Sequence, residues 1–123
     1  MKRILIADDK PNGRELVRTI LENDGYEVFE AADGQQAVER ARQLHPDLVI
    51  LDLHMPILDG FGAVEALRKE AEFTRTPVMA LTASAMMGDR ERALGAGFTG
   101  YCTKPIRLSV LRAEVQRLLS FAQ

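Results

Sequence analysis

Five times along this chain, a short apolar run of strand length is followed by a segment whose apolar residues recur at helical spacing. Strand-then-helix alternation implies a parallel sheet with helices on both faces. Right-handed crossovers then leave a doubly wound α/β sheet as the natural solution. The runs are Ile4 to Ala7, Tyr26 to Ala31, Leu48 to Leu51, Val78 to Leu81 and Thr99 to Cys102. The first helix is expected to turn Leu16, Val17, Ile20 and Leu21 inward and to close at Asn23-Asp24-Gly25, with Gly25 suited to a left-handed cap. Asp33 and Gln36 read as a capping box opening the second helix, which carries Ala37, Val38, Ala41 and Leu44 and ends at His45-Pro46. The third follows the Asp59-Gly60 turn with Phe61, Val64 and Leu67 inward. The fourth is predicted over Ala83 to Leu94, weakened by Gly88 and stopped by Gly95-Ala96-Gly97. The last carries Leu108, Leu111, Val115 and Leu118 on its inner face.

The length of 123 residues suits one domain with one core, expected to span 1–123. A formal net charge of -2 supplies no bulk attraction to nucleic acid or to an anionic membrane. Cys102, the single cysteine, rules out an internal disulfide and fits a reducing compartment, so a cytoplasmic location is expected. Its apolar strand setting predicts a packed, inert thiol. No apolar run approaches the ~18 residues of a membrane span, and the N-terminal apolar stretch is too short for a signal peptide.

Polar groups gather where the strands end. The first run ends in Asp8-Asp9, the third in Asp52, the fourth in Thr82, and the fifth is followed by Lys104. In a parallel sheet these ends share one edge, the edge where open α/β sheets bind ligands. Pro56 stops the third strand soon after Asp52, because it has no N–H to donate. A lone Asp in such a place is most often a cap or turn residue, but Asp52 has company. Three converging carboxylates repel and raise one another's pKa. A hard divalent ion with oxygen ligands, Mg²⁺ or Mn²⁺, relieves that, and no Cys/His pair with zinc spacing competes. Metal, ammonium and hydroxyl around one carboxylate form a site for a phosphoryl group, with Asp52 as nucleophile and Lys104 spreading the charge of the transferring group.

This set, with the segments Leu51-Asp52-Leu53-His54-Met55-Pro56-Ile57-Leu58-Asp59-Gly60, Ala80-Leu81-Thr82-Ala83, Gly95-Ala96-Gly97 and Tyr101-Cys102-Thr103-Lys104-Pro105, resembles the receiver domain of two-component response regulators, of the single-domain chemotaxis-regulator kind. The resemblance covers essentially the whole chain. It implies a flavodoxin-like sheet of order 2-1-3-4-5. It implies that Asp52 accepts a phosphoryl group from a histidine kinase or phosphotransfer protein. Asp9, Asp52 and the backbone carbonyl of His54 would bind Mg²⁺ directly, with Asp8 acting mostly through water. Lys104, Thr82 and Ala83 would hold the phosphoryl group, and the Lys104-Pro105 bond would be cis. Tyr101 would be the aromatic switch, its phenol moving from exposed to buried as Thr82 moves toward Asp52. His54 and Ser84 would tune the lifetime of the phosphoryl group. The His54 imidazole invites a reading as metal ligand or phosphodonor, but a solvent-facing ring is the plainer expectation. Lys10 departs from the plainest pattern and partly offsets the acidic pair. Met86 and Met87 fit either an adaptable partner surface or ordinary packing.

The implied protein is not an enzyme beyond its own phosphorylation and dephosphorylation. It is a switch whose fourth helix, fifth strand and fifth helix control a downstream protein partner. A phosphorylation-dependent dimer is one form that response can take, and neither nucleic acid nor membrane is a direct partner. Asp8-Asp9 would repel the FMN phosphate of a flavodoxin. A haloacid-dehalogenase-type phosphatase, with its nucleophilic aspartate, wants an acid where His54 stands, and lacks its cap domain here. A pseudo-receiver would not need the full acidic set and Lys104. Only Ser120-Phe121-Ala122-Gln123 follow the last helix. A stand-alone regulator is therefore expected, with a receiver excised from a hybrid kinase or longer regulator as the alternative.

Overall fold

The computed structural model describes residues 1–83 and 88–121. Five strands, β1 (Arg3–Ala7), β2 (Glu27–Ala31), β3 (Leu48–Asp52), β4 (Val78–Thr82) and β5 (Gly100–Thr103), alternate with five helices, α1 (Pro11–Asn23), α2 (Gly34–Leu44), α3 (Gly60–Arg68), α4 (Asp89–Ala96) and α5 (Leu108–Phe121). A short 3-10 turn, Ala71–Phe73, precedes β4. All neighbouring strands pair in parallel, in the order β2-β1-β3-β4-β5. This is the expected flavodoxin-like sheet.

Strand periodicity divides the core in two. Ile4, Ile6, Leu48, Ile50, Met79 and Leu81 face one way, against Val17 and Leu21 of α1 and Leu111, Val115 and Leu118 of α5. Leu5, Ala7, Val49, Leu51, Val78 and Ala80 face the other way, against α2, α3 and Ala93 of α4. Every residue of β3 and β4 is buried, because both faces are covered. Asp33 caps α2 as expected, its Oδ1 accepting from the Gln36 N–H at 2.8 Å, while the Gln36 side chain reaches one residue further back than a capping box, its Oε1 accepting from the Ala32 N–H at 2.9 Å.

Three expectations need correction. The fourth helix begins at Asp89, not Ala83. Gly88 precedes it at φ 89°, a left-handed conformation that an α-helix interior excludes. The helix then runs through Gly95 to Ala96, and Gly97, at φ 119°, caps it. Ala83 sits in a bend, and Ser84, Met86 and Met87 lie outside the described residues. Leu16 is exposed, because the buried stripe of α1 is narrow and runs through Val17 and Leu21. Leu108 is exposed as well, since it opens α5 ahead of the turn that meets the sheet at Leu111.

Cys102 is buried with Sγ 3.8 Å from Met79 Sδ. Burial, with a smaller push from the Glu114 charge, raises the thiol to about 11. A raised acid is favoured neutral in the fold, so its contribution is complete below the ordinary thiol value of ~8.5 and is lost as pH rises through about 11. Native protein at pH 8 is expected to leave a disulfide-exchange reagent such as Ellman's unreacted, and to react fully in denaturant. Rapid native labelling would contradict the packed thiol.

Candidate phosphoryl and metal site

Strand register brings the polar ends together. Ile4 pairs with Leu48 and Ile6 with Ile50, so Asp8 and Asp52, two residues further along each chain, leave the sheet side by side. Both are almost completely buried, at 2% and 5% exposure, whereas Asp9 is exposed. Lys104 reaches across from the segment after β5, its own N–H bonded to the Thr82 carbonyl at 2.8 Å. Its ammonium donates to Asp8 Oδ2 at 2.8 Å and to Asp52 Oδ2 at 3.0 Å. Burial works against the charge of Lys104, but its bonds to Asp8 and Asp52 outweigh that and hold the ammonium above the usual lysine range. The Lys104-Pro105 peptide bond is cis.

The other carboxylate oxygens are held by their own loops. Asp8 Oδ1 accepts from the Lys10 N–H at 2.9 Å, and Asp52 Oδ1 accepts from the His54 N–H at 3.0 Å. Both are local side-chain-to-backbone turns of the kind Asp favours. Leu53 and Met55 point into the core between them and leave the His54 side chain in solvent, the plainer of its two expected placements. Gly13, in the first turn of α1, lies close to the site: a Cβ there would be 3.3 Å from Asp8 Oδ2.

Asp8, Asp9 and Asp52 each offer a carboxylate oxygen, all within 4.8 Å of one another. Three carboxylates against one ammonium leave a local surplus of negative charge. An all-oxygen donor set with neither Cys nor His suits a hard cation of the Mg²⁺ class. The residues present therefore fit the expected ion.

Thr82 is fully buried at the end of β4. Tyr101 pairs with Ala80 on the same ladder and packs with the cluster on the α2–α3–α4 face. Its ring is half-buried, and its hydroxyl is shut off from solvent with no hydrogen-bond partner among the described residues. The exposed phenol expected from the sequence is thus not the form this structure holds. Desolvation, with the Asp89 charge adding to it, raises the phenol pKa. A buried, unmatched hydroxyl costs energy, so Tyr101→Phe is expected to stabilise the fold by about 1 kcal/mol. Urea unfolding checks this, and a loss of stability would show that the hydroxyl is paired.

Supporting residues on α1, β2 and α3 escaped the sequence reading. Arg14 on α1 donates to the Asp8 carbonyl at 2.6 Å and to Glu30 Oε1 at 2.6 Å. Glu30 on β2 also accepts from Arg18 at 2.5 Å. The spacing of Arg14 and Arg18, one turn apart, was visible, but their partner strand is not adjacent in the chain. Arg68, half-buried, donates to the carbonyls of Gly97, Phe73 and Thr76 and ties the end of α4 to α3.

Comparison with known proteins agrees with this fold. Over 118 residues the chain is 41% identical to a probable transcriptional regulator, ycf27, of Cyanophora paradoxa, covering 96% of this chain and 48% of that one. It thus spans about half the length of that relative. Among solved structures, the chemotaxis protein CheY4 of Vibrio cholerae is 33% identical, with a TM-score of 0.90 over 96% of this chain and 98% of that one. The receiver domain of the sensor histidine kinase PA1611 of Pseudomonas aeruginosa, a structure with magnesium coordinated in its active-site cleft, is 36% identical with a TM-score of 0.90, covering 97% of this chain and 98% of that one. Residues 4–116 match the response regulator receiver domain, and the chain belongs to that family of two-component signalling proteins.

Proposed function

We propose that this chain is a phosphorylation-driven switch in which Asp52 accepts a phosphoryl group from a histidine kinase or phosphotransfer protein. The observation that carries this reading is the Lys104 ammonium bridging buried Asp8 and Asp52 beside a third carboxylate, Asp9. A carboxylate oxygen of Asp52 forms the new O–P bond as the P–N bond of the donor phosphohistidine breaks, and the departing imidazole takes up a proton. Lys104, already aimed at Asp52, neutralises charge on the transferring group. Thr82 and the backbone of Ala83 hydrogen-bond the phosphoryl oxygens. Asp8, Asp9, Asp52 and the His54 carbonyl would hold Mg²⁺ or Mn²⁺, which when bound supplies positive charge beside the phosphoryl oxygens. His54, beside Asp52, tunes the lifetime of the phosphoryl group, a role shared by Ser84, which lies outside the described residues.

The phosphorylated side chain carries roughly -1.5 to -2 charges where the free carboxylate carried about -1. Thr82 responds by moving toward it, and Tyr101 on the adjoining strand follows. The altered face is α4, β5 and α5, where Arg90, Tyr101, Val110, Ala113, Glu114 and Arg117 line an open groove. That face binds a downstream protein or a second phosphorylated copy, without direct contact to nucleic acid or membrane. No helix among the described residues is long and apolar enough to cross a membrane. The same switch also fits inside a longer protein, a reading favoured by the likeness to a receiver of a sensor kinase; the length of the natural reading frame distinguishes the two.

Acetyl phosphate or phosphoramidate with Mg²⁺ is expected to add one phosphoryl group, seen as a single mass increment. Asp52→Asn is expected to abolish it. An equal gain in the variant would sink the assignment.

A further inference from the structure

Of the three clustered carboxylates, two are fixed by side-chain bonds and one is not. Lys10, His54 and Lys104 hold Asp8 and Asp52. The Asp9 side chain is exposed, and no hydrogen bond or ion pair holds it among the described residues. Yet one of its oxygens lies within 4.8 Å of oxygens of both Asp8 and Asp52. Its place therefore follows from its backbone. The sheet does not fix that backbone, because β1 ends at Ala7. The peptide that joins Asp8 to Asp9 needs another anchor.

Arg14 supplies one. An Arg14 terminal nitrogen donates to the Asp8 carbonyl at 2.6 Å. A peptide unit is planar, so holding its carbonyl also sets the direction in which Asp9 leaves. Arg14 Nε donates to Glu30 Oε1 at 2.6 Å. Glu30 stands opposite Ile6 in the β1–β2 register, and its other oxygen accepts from Arg18. Arg18 pairs with Glu22 one turn further along α1. A guanidinium is a rigid planar fork, so fixing Nε on Glu30 also aims the nitrogen that holds Asp8. The Arg14 and Glu30 side chains are only 18% and 26% exposed. Shielded ion pairs of this kind add little stability, because desolvation offsets their attraction. What the arrangement does supply is a fixed direction for one backbone carbonyl beside the acidic cluster.

From this juxtaposition we infer that Arg14 is a positioning residue for the metal site: braced on Glu30, it grips the Asp8 carbonyl and so keeps the Asp9 carboxylate beside Asp8 and Asp52. Arg14 is not itself a ligand. The inference rests on the metal site proposed above. It also has a distinctive sign. Arg14 is a cation, and charge alone predicts that removing it tightens the binding of a second cation nearby. Positioning predicts that removing it weakens that binding.

The test measures binding of Mn²⁺ to wild type, Arg14→Met, Arg14→Lys and Arg3→Met, read from the paramagnetic resonance of the free ion. Arg14→Met is expected to raise Kd about tenfold, the usual scale for losing a residue that orients a metal ligand. Arg14→Lys keeps the charge but has no fork to span Glu30 and the Asp8 carbonyl, so Kd rises about threefold or more. The lysine variant carries the test if the methionine variant does not fold. Arg3→Met is the control. Arg3 makes the same kind of bridge at the other end of β1, to Glu27 at 3.1 Å and the Leu44 carbonyl at 2.9 Å, and its loss is expected to leave Kd unchanged. The Mg²⁺ concentration for half-maximal phosphorylation by acetyl phosphate rises in step with Kd in the Arg14 variants. A merely structural Arg14 would lower stability in urea and leave the Kd of the folded protein at the wild-type value, which would overturn the inference. Tighter binding in Arg14→Met would overturn it too, as would an equal loss in Arg3→Met. Failure of wild type to bind Mn²⁺ would instead refute the underlying metal-site reading.

Discussion

Lys104→Met is expected to destabilise the metal-free protein by about 2–4 kcal/mol and to slow phosphorylation of Asp52 by small donors about 10²-fold or more. The Lys104 side chain lies 2.8 and 3.0 Å from carboxylates that are 3% and 7% exposed. Methionine fills similar space but leaves two neighbouring anions without a counter-charge. Removing one member of a buried ionic group costs about 3–5 kcal/mol, reduced here because the Lys104 side chain is 17% exposed at the mouth of the site. The kinetic loss follows from removing one preorganised charge from the transferring group. Thermal unfolding with and without millimolar Mg²⁺ separates charge from packing. A cation bound only by the folded state stabilises it, so the variant gains more from Mg²⁺ than wild type does. A variant as stable as wild type without metal would show that the ammonium is not needed to hold the carboxylates together.

Gly60→Ala is expected to cost about 2–3 kcal/mol and to slow phosphorylation together with it. The reason is contact rather than backbone conformation. A Cβ at Gly60 would lie 2.4 Å from the Asp52 carbonyl oxygen and 2.9 Å from Leu53 Cα. Those are backbone atoms at the end of a buried strand, so they cannot rotate aside. Either α3 or the end of β3 must shift, and overpacking of a rigid core costs in this range. Any shift of β3 carries Asp52 out of line with Lys104. Gly95→Ala is the control. It sits within α4, nothing approaches its Cβ within 4 Å, and alanine there is expected to stabilise the helix by about 0.5–1 kcal/mol. Urea unfolding and the rate of mass gain from acetyl phosphate measure both variants. A Gly60→Ala protein with wild-type stability and rate would mean that α3 is free to move away from β3.

Much of this protein was legible in order along the chain because its signals are local. Strand runs at Ile4, Leu48 and Val78, the Asp33–Gln36 cap and the inward Val64 and Leu67 are patterns of neighbouring residues, and local patterns survive folding when the core agrees with them. The convergence of Asp8, Asp52 and Lys104 was legible for a related reason: a parallel sheet has one carboxyl edge, so residues that end its strands meet there. The start of the fourth helix was not legible, because helical periodicity continues through a glycine, and only the left-handed φ of Gly88 reveals the break. Leu16 and Leu108 matched the helical period, but how wide a stripe a helix buries depends on what packs against it.

Sequence alone determined the alternation of strand and helix, the edge at which the acidic residues gather and the chemical class of ion and group they suit, since each depends on residue type and spacing. Tertiary structure decided what depends on contacts between distant segments. It paired Arg14 with Glu30 beside Asp8, and it shut the Tyr101 hydroxyl off from solvent. It also held Ile57 in a turn that its own side chain disfavours, because bonds from Gly34 and Gly62 outweigh the local preference of one residue.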